Sequence, residues 1–229
     1  MPTAPEEMTL KVIAHIHTAF PTKFGIPRQS GLADVPARIV FEPEYRNADA
    51  LRGIEEYSHL WLIWQFSEAV RESWSPTVRP PKLGGNRRVG VFATRSPFRP
   101  NAIGLSSVRL HRVEYGTPEG AVLHISGADL MDGTPIFDIK PYLAYTDSHP
   151  EASGSFALAG DAVRVECAEG VLDALPQEKR ETLLRVLAQD PRPGYQHEAG
   201  RVYGFPFGGF EVRFTVADGV LTVLSAEKV

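Results

Sequence analysis

The chain has 229 residues, 43% of them hydrophobic, and a formal net charge of −4. That is enough apolar material for one ordinary domain and a smaller one, and the net charge taken alone argues against a nucleic-acid partner. A single cysteine, Cys167, excludes an internal disulfide and a CxxC metal site; "MPTAPEEMTL" lacks the basic start and apolar run of a signal peptide, and no apolar stretch approaches membrane-spanning length, so a soluble, reduced, cytoplasmic protein is expected.

Period-two alternation predicts strands over 9–16 ("TLKVIAHI") and 37–42 ("ARIVFE"). The segment 47–57, "NADALRGIEEY", is short and amphipathic and is the one helical candidate in this part of the chain. "HLWLIWQF" (59–66) is apolar on both faces, which predicts a central strand. Further strands are predicted over 88–94, 106–113, 121–126 and 134–142, separated by the turn signals "LGGN", "YGTPEG" and "DLMDGTP". Six or seven strands with no long helix between them predict a mainly β fold, a small barrel or sandwich and not a doubly wound sheet.

After Pro150 the small residues of "EASGSFALAG" predict a linker. Next come a strand ("AVRVECA"), and a helix over 176–189 with Pro176 at its first position and Leu183, Leu184 and Leu187 on one face. "DPRPGY" ends the helix, because Pro191 cannot continue it. A hairpin turning at Asp218-Gly219 closes the chain. The expected division is a β-barrel domain over 1–152 and a small α+β domain over 153–229.

Charge is unevenly placed. Between Glu72 and Glu114 there is no acid, but there are eight bases: Arg79, Lys82, Arg87, Arg88, Arg95, Arg99, Arg109 and Arg112. The rest of the chain therefore carries −12. Seven of the eight are arginine, whose planar fork suits phosphate and carboxylate. Familiar reaction signatures are missing. There is no glycine-rich phosphate loop, and "GLSSV" lacks the second glycine of a nucleophile elbow. His15 and His17 share a strand face without a third ligand, so no metal is expected. By sequence alone Asp132-Gly133 reads as a hairpin turn. These features point to an anion or RNA partner and name no reaction.

The segments "KFGIPRQSGL", "GIEEYSHLWLIWQF", "SPTVRPPKLGGNRRVGVFATRSPFRPNAIGLS", "DLMDGTPIFDIKPYLAYTDSHPEA" and "AQDPRPGY" resemble, in order, those of the TrmO family, also called TsaA-like or YaeB-like. Ala102 and Ser30 depart from it where proline is expected, both in loops. The resemblance implies a non-Rossmann β-barrel that binds S-adenosylmethionine, a homodimer with the cofactor close to the subunit interface, and no membrane partner. It implies methylation at N6 of threonylcarbamoyl-adenosine 37, beside the anticodon of a threonine tRNA. Its cofactor contacts carry over to Pro27, Arg28 and Gln29, to Phe66 and Ser67, to Arg95 and Leu105, and to Asp129, Leu130, Met131, Asp132 and Gly133.

Methyl transfer from sulfonium to nitrogen creates little net charge, so positioning matters more than a strong acid or base. An acceptor near the N6 proton would still help; Asp132 is the first candidate and Asp190 the second, with turn-holding and helix-ending as their structural alternatives. Arg95 and Arg99 would work at the site itself; Arg79, Lys82, Arg87 and Arg88 would grip the anticodon stem-loop, with Arg192 and Tyr195 touching the nucleotide. Phe98 reads equally as a stacking platform or a core ring. Two other readings stay open: a non-catalytic RNA-binding barrel, and a methyltransferase of the same fold acting on a small molecule.

Overall fold

The structure is a computed structural model that describes residues 7–80, 86–154, 162–192, 198 and 200–229. Lys82 and Tyr195, expected to touch the tRNA, most of the "EASGSFALAG" segment and most of the "LGGN" turn lie outside the described residues. In chain order the strands are β1 (Ala14–His17), β2 (Pro36–Phe41), β3 (His59–Gln65), β4 (Thr77–Val78), β5 (Val89–Gly90), β6 (Ile103–Thr117), β7 (Gly120–Ser126) and β8 (Pro135–Pro141). They are followed by α1 (Ala144–Asp147), β9 (Arg164–Cys167), α2 (Gln177–Ala188), β10 (Tyr203–Phe207), β11 (Phe210–Ala217) and β12 (Val220–Lys228).

Six strands close a barrel in the order β1-β2-β7-β6-β3-β8, and β1 returns to pair with β8 at Ala14↔Ile136. Closure gives each of the six strands a neighbour on both sides, though β1 meets β8 at only two register positions, Ala14↔Ile136 and His15↔Pro135. The alternation of β3 sends Leu60, Leu62 and Trp64 into the barrel, where they meet Ile16, Ile39, Leu123, Ile125 and Ile136. The strand is therefore buried on one face only; Trp61 and Ile63 are half-covered on the outside. Trp64 fits because residue 104 is glycine: a Cβ there would lie 2.2 Å from its ring. Its indole N–H is satisfied inside the wall by Ser106 Oγ at 3.0 Å. The long strand β6 carries register shifts at Leu110/Arg112 and Glu114/Thr117, which let it curl around the barrel.

Three predicted elements come out differently. The first strand is only Ala14–His17, because Met8 and Leu10 are exposed and pair with nothing. The predicted helix over 47–57 is two 3-10 turns, Ala48–Leu51 and Ile54–Glu56, split at Gly53, whose φ of 86° a right-handed helix cannot contain. The predicted strand over 88–94 is two residues of β5, paired to β4, followed by a 3-10 turn over Val91–Ala93.

The second unit is a sheet in the order β10-β11-β12-β9, with β9 parallel to β12. Helix α2 covers it with Leu183, Val186 and Leu187. Pro176 sits one position earlier than expected, as the N-cap, with ψ of 147°. After the helix, Asp190 takes a left-handed φ of 47° before Pro191. Asp218 and Gly219 both have positive φ, 49° and 76°, the signature of the two-residue turn that matches strand twist.

The loop between β1 and β2 does not pack on the barrel alone. Phe20, Ala33 and Val35 are buried in the second core, and Phe24 packs against it. Phe20 meets Phe207 edge-on at 5.7 Å, and Phe24 meets Phe205 at 5.9 Å. The core of the C-terminal sheet is thus completed by residues from the start of the chain. Phe20→Ala is expected to cost about 3–5 kcal/mol, read from urea denaturation; a loss below about 1 kcal/mol would mean that the loop is not part of that core.

Candidate functional site

The loop after β5 is braced by its own hydroxyls. Thr94 Oγ1 donates to Val91 O at 2.8 Å and accepts from Ser96 N at 3.2 Å, and Ser96 Oγ accepts from Phe98 N at 3.3 Å. Arg99 Nη1 donates to Thr94 O at 3.1 Å. Pro97 and Pro100 reduce the freedom that the loop must lose on folding. Arg99 thus spends part of its donor set on the loop, while Arg95 projects from it to Gln29 Oε1.

This loop, the β4–β5 pair, Arg28 and Gln29, and the turn at Pro191 and Arg192 enclose a cleft of about 1520 Å³. Arg79, Arg88, Arg95 and Arg99 of the basic block line it. Arg28, Arg71 and Arg192 join them from outside the block, and Glu72 is the one acid among the described lining residues. A concave surface with this charge focuses positive potential on whatever enters. Arg87 is exposed beside it and does not line it.

Loop 27–30 ties the two units together at the mouth of the cleft. Pro27 is buried. Arg28 Nη2 donates to the backbone carbonyls of Asp190 at 2.9 Å and Arg192 at 3.1 Å. The Asp190 carboxylate is gripped by Arg192 through Nε at 2.8 Å and Nη2 at 2.9 Å. Burial works against the charge on Asp190, but the bonds and charge of Arg192 outweigh it and hold the carboxyl below its ordinary range. Arg192 is therefore engaged with Asp190 and not idle in the cleft.

Asp129 has the opposite environment. Burial pushes its carboxyl above the ordinary range, against the bond from Ser106, the backbone N–H groups of Asp129 itself and Ser30, and the charge of Arg95. Ser106 Oγ donates to it at 2.5 Å, which extends the chain that begins at the Trp64 indole. A guanidinium whose charge reaches a half-buried carboxylate could serve the two ends of an α-amino acid zwitterion: Arg95 the carboxylate, Asp129 the ammonium.

Three residues along, Asp132 is exposed. Its Oδ1 accepts from Thr18 N at 3.0 Å and lies 3.4 Å from His17 Nδ1. Its backbone N–H donates to Phe20 O at 2.8 Å, and Gly133, at φ 74°, donates to Ile16 O at 2.8 Å. The turn is not a hairpin, because β7 and β8 do not pair with each other. Leu130 is fully buried in the barrel, and the Met131 carbonyl accepts from Thr134 Oγ1 at 2.7 Å. Phe66 and Ser67 sit at the exit of β3, with the Phe66 ring 4.3 Å from that of Trp64. Leu105 is 58% exposed on the outer barrel face opposite Ile63. Of the expected cofactor contacts only Arg28, Gln29 and Arg95 line the cleft; Pro27, Phe66, Ser67, Leu105, Asp129, Leu130, Met131, Asp132 and Gly133 do not. His15 pairs with Glu42 at 2.7 Å, and among the described residues no group of three His, Cys, Asp or Glu is placed to hold a metal ion.

Sequence reasoning missed Arg71, Trp74 and Phe92, which also line the cleft. The available signal was a tryptophan in the polar run "RESWSPT", where no periodicity gives it a core to enter.

Residues 15–148 match the family model described as the tRNA-methyltransferase O N-terminal domain, and residues 161–229 match that of the TrmO C-terminal domain. An Escherichia coli K12 protein named tRNA (adenine(37)-N6)-methyltransferase is 42% identical over 226 residues, covering 94% of this chain and 96% of that one. A Pseudomonas aeruginosa protein, RcsF, provisionally named an S-adenosylmethionine-dependent methyltransferase, is 43% identical over 213 residues, covering 88% of this chain and 90% of its own. The crystal structure of TrmO from Pseudomonas aeruginosa superposes with a TM-score of 0.79 at 33% identity over the whole of both chains.

Proposed function

The chain belongs to the TrmO family, and from that membership we propose that it is a tRNA methyltransferase. In this reading it transfers the methyl group of S-adenosylmethionine to N6 of adenosine 37, the base that carries the threonylcarbamoyl group. The observation that carries the reading is an arginine-lined cleft of about 1520 Å³ with Arg95 and its partner Gln29 in the lining.

S-adenosylmethionine, when bound, supplies an electrophilic methyl group and an amino-acid end that is a zwitterion. Arg95 and Asp129 fit that end, and Gln29 orients Arg95 from the side. Arg28, anchored on the carbonyls of Asp190 and Arg192, fixes the position of Gln29. With its geometry set, the reaction asks the protein chiefly to hold the nucleophile in line and exclude water. For the N6 proton we assign Asp132 as acceptor. One of its oxygens serves Thr18 N–H, and no bond to the other is made by the described residues. Asp190 is a poor base in this setting, because the Arg192 clamp stabilises its ionised form; we assign it to positioning loop 27–30.

Nucleosides from a strain lacking this gene test the reading by mass spectrometry. The methylated threonylcarbamoyl-adenosine should vanish, its unmethylated precursor should accumulate, and both should revert when the chain is supplied. Persistence of the methylated nucleoside would reject the assignment.

Arg79 and Arg88 in the cleft, with Arg87 exposed beside it, serve the anticodon arm in this scheme. Arg87→Ala with Arg88→Ala is expected to weaken tRNA binding and flatten its salt dependence by roughly one logarithmic unit of slope per lost phosphate contact. An unchanged slope would place both side chains away from the RNA. The exposed Ile103 and Leu105, with Ile63 beside them, give the outer barrel face an apolar strip that supports the expected homodimer; light scattering reads it. The cytoplasm is the compartment where such a substrate would be met.

A further inference from the structure

Two large aromatic rings stand open in the cleft. Trp74 is 52% exposed and Phe92 is 72% exposed, and their ring centroids are 6.0 Å apart at an interplanar angle of 32°. Both line the arginine cleft. Large rings left in water beside a dense positive field are costly unless a ligand covers them. Phe98 also lines the cleft and is 38% exposed, with the Arg71 guanidinium over its ring at 3.7 Å. That contact holds Arg71, which also lines the cleft, against an aromatic face.

We propose that Trp74 and Phe92 form a stacking subsite for one unpaired nucleobase of the RNA loop, with Arg71, held on Phe98, as its cationic companion. This rests on the tRNA methyltransferase reading and goes beyond it by naming the subsite and the state of the nucleotide. The occupant follows from the combination of surfaces. A duplex hides its base faces, so flat aromatic rings call for a single-stranded nucleotide. A protein partner would have to present strong negative charge and a free ring together, whereas a loop of RNA brings both in every residue. Stacking is tolerant of base identity, so the subsite would fix the register of the loop and leave the choice of base to the reacting centre.

The test is binding of an anticodon stem-loop RNA that carries threonylcarbamoyl-adenosine at position 37, with each other loop nucleotide replaced in turn by an abasic one. Trp74→Ala and Phe92→Ala should each weaken binding by about tenfold, with the slope of affinity against salt unchanged, because no phosphate contact is lost. The defect should disappear on the RNA that is abasic at one particular position, and Trp74→Phe should restore most of the affinity. The Michaelis constant for S-adenosylmethionine should stay as it was. Equal losses on every abasic RNA, a changed salt slope, or a changed oligomeric state would overturn the subsite, the last in favour of a second copy of the chain. Methylation of the same RNA by the unaltered protein is measured alongside. Its absence would overturn the enzyme reading and the subsite with it; normal methylation with unaltered binding by both alanine variants would overturn the subsite alone.

Discussion

Changing Asp132 to asparagine is expected to lower turnover by about a hundredfold, the scale of a lost general base, with both Michaelis constants within a factor of about two. The structure makes this substitution unusually clean. Asparagine keeps an oxygen to accept from Thr18 N, the 3.0 Å bond that holds the turn, and it leaves the backbone bonds of residues 132 and 133 to Phe20 and Ile16 intact. The melting temperature should therefore stay within a degree or two, at the small end of ordinary surface changes. What is removed is the charge that faces His17 Nδ1 at 3.4 Å and the capacity to take up a proton as the new bond forms, the second of which acts in the transition state and not in binding. Steady-state kinetics and a thermal melt on the same sample separate the outcomes. Retained turnover with a raised constant for S-adenosylmethionine would make Asp132 a cofactor contact. Turnover and melting temperature falling together would leave it only as the residue that holds the turn.

Arg95→Lys should raise the Michaelis constant for S-adenosylmethionine by about an order of magnitude, or ~1.4 kcal/mol of binding. Lysine preserves the charge beside Asp129 but not the fork that can engage Gln29 and a carboxylate at the same time. Two anionic ends are available to this guanidinium, that of the methionyl group and that of the substrate's threonyl group. The position of Asp129 favours the first, because only the methionyl end also brings an ammonium. Measuring both Michaelis constants decides the matter. A rise confined to tRNA would assign Arg95 to the threonyl carboxylate and leave Asp129 without its proposed partner.

The barrel was largely legible because its signal is local. In β3 and β7, inward residues recur at period two, and a closed barrel needs little else from the sequence. The terminal hairpin was legible for the same reason, since Asp218-Gly219 is a turn that writes its backbone angles in its residue types. The strand β10, "YGFPF", escaped because Gly204 and Pro206 mimic a loop. The role of 18–35 escaped because Phe20, Phe24, Ala33 and Val35 follow no period; a loop has none, and only the partner surface explains its apolar residues. At the site, the eight-base block announced an anionic ligand, but its geometry depends on Arg28, Arg71 and Arg192, which come from three other parts of the chain. Asp129 and Asp132 are three apart and chemically identical on paper. Burial pushes the carboxyl of one above its ordinary range and leaves the other exposed.

The insertion of the early loop into the late core has a consequence for how the protein comes into being. Translation delivers the barrel strands first, and they can close as soon as β8 has emerged. Phe20, Ala33 and Val35 cannot be covered then, because the phenylalanines that meet them lie on β10 and β11, near the other end of the chain. At 5–20 residues per second the interval is on the order of ten seconds. Throughout it, a finished barrel carries an apolar loop with nowhere to go. Nascent chains should thus pass through a sticky half-made state, and arresting synthesis after β8 should recruit chaperones to that loop more strongly than arresting it after β12.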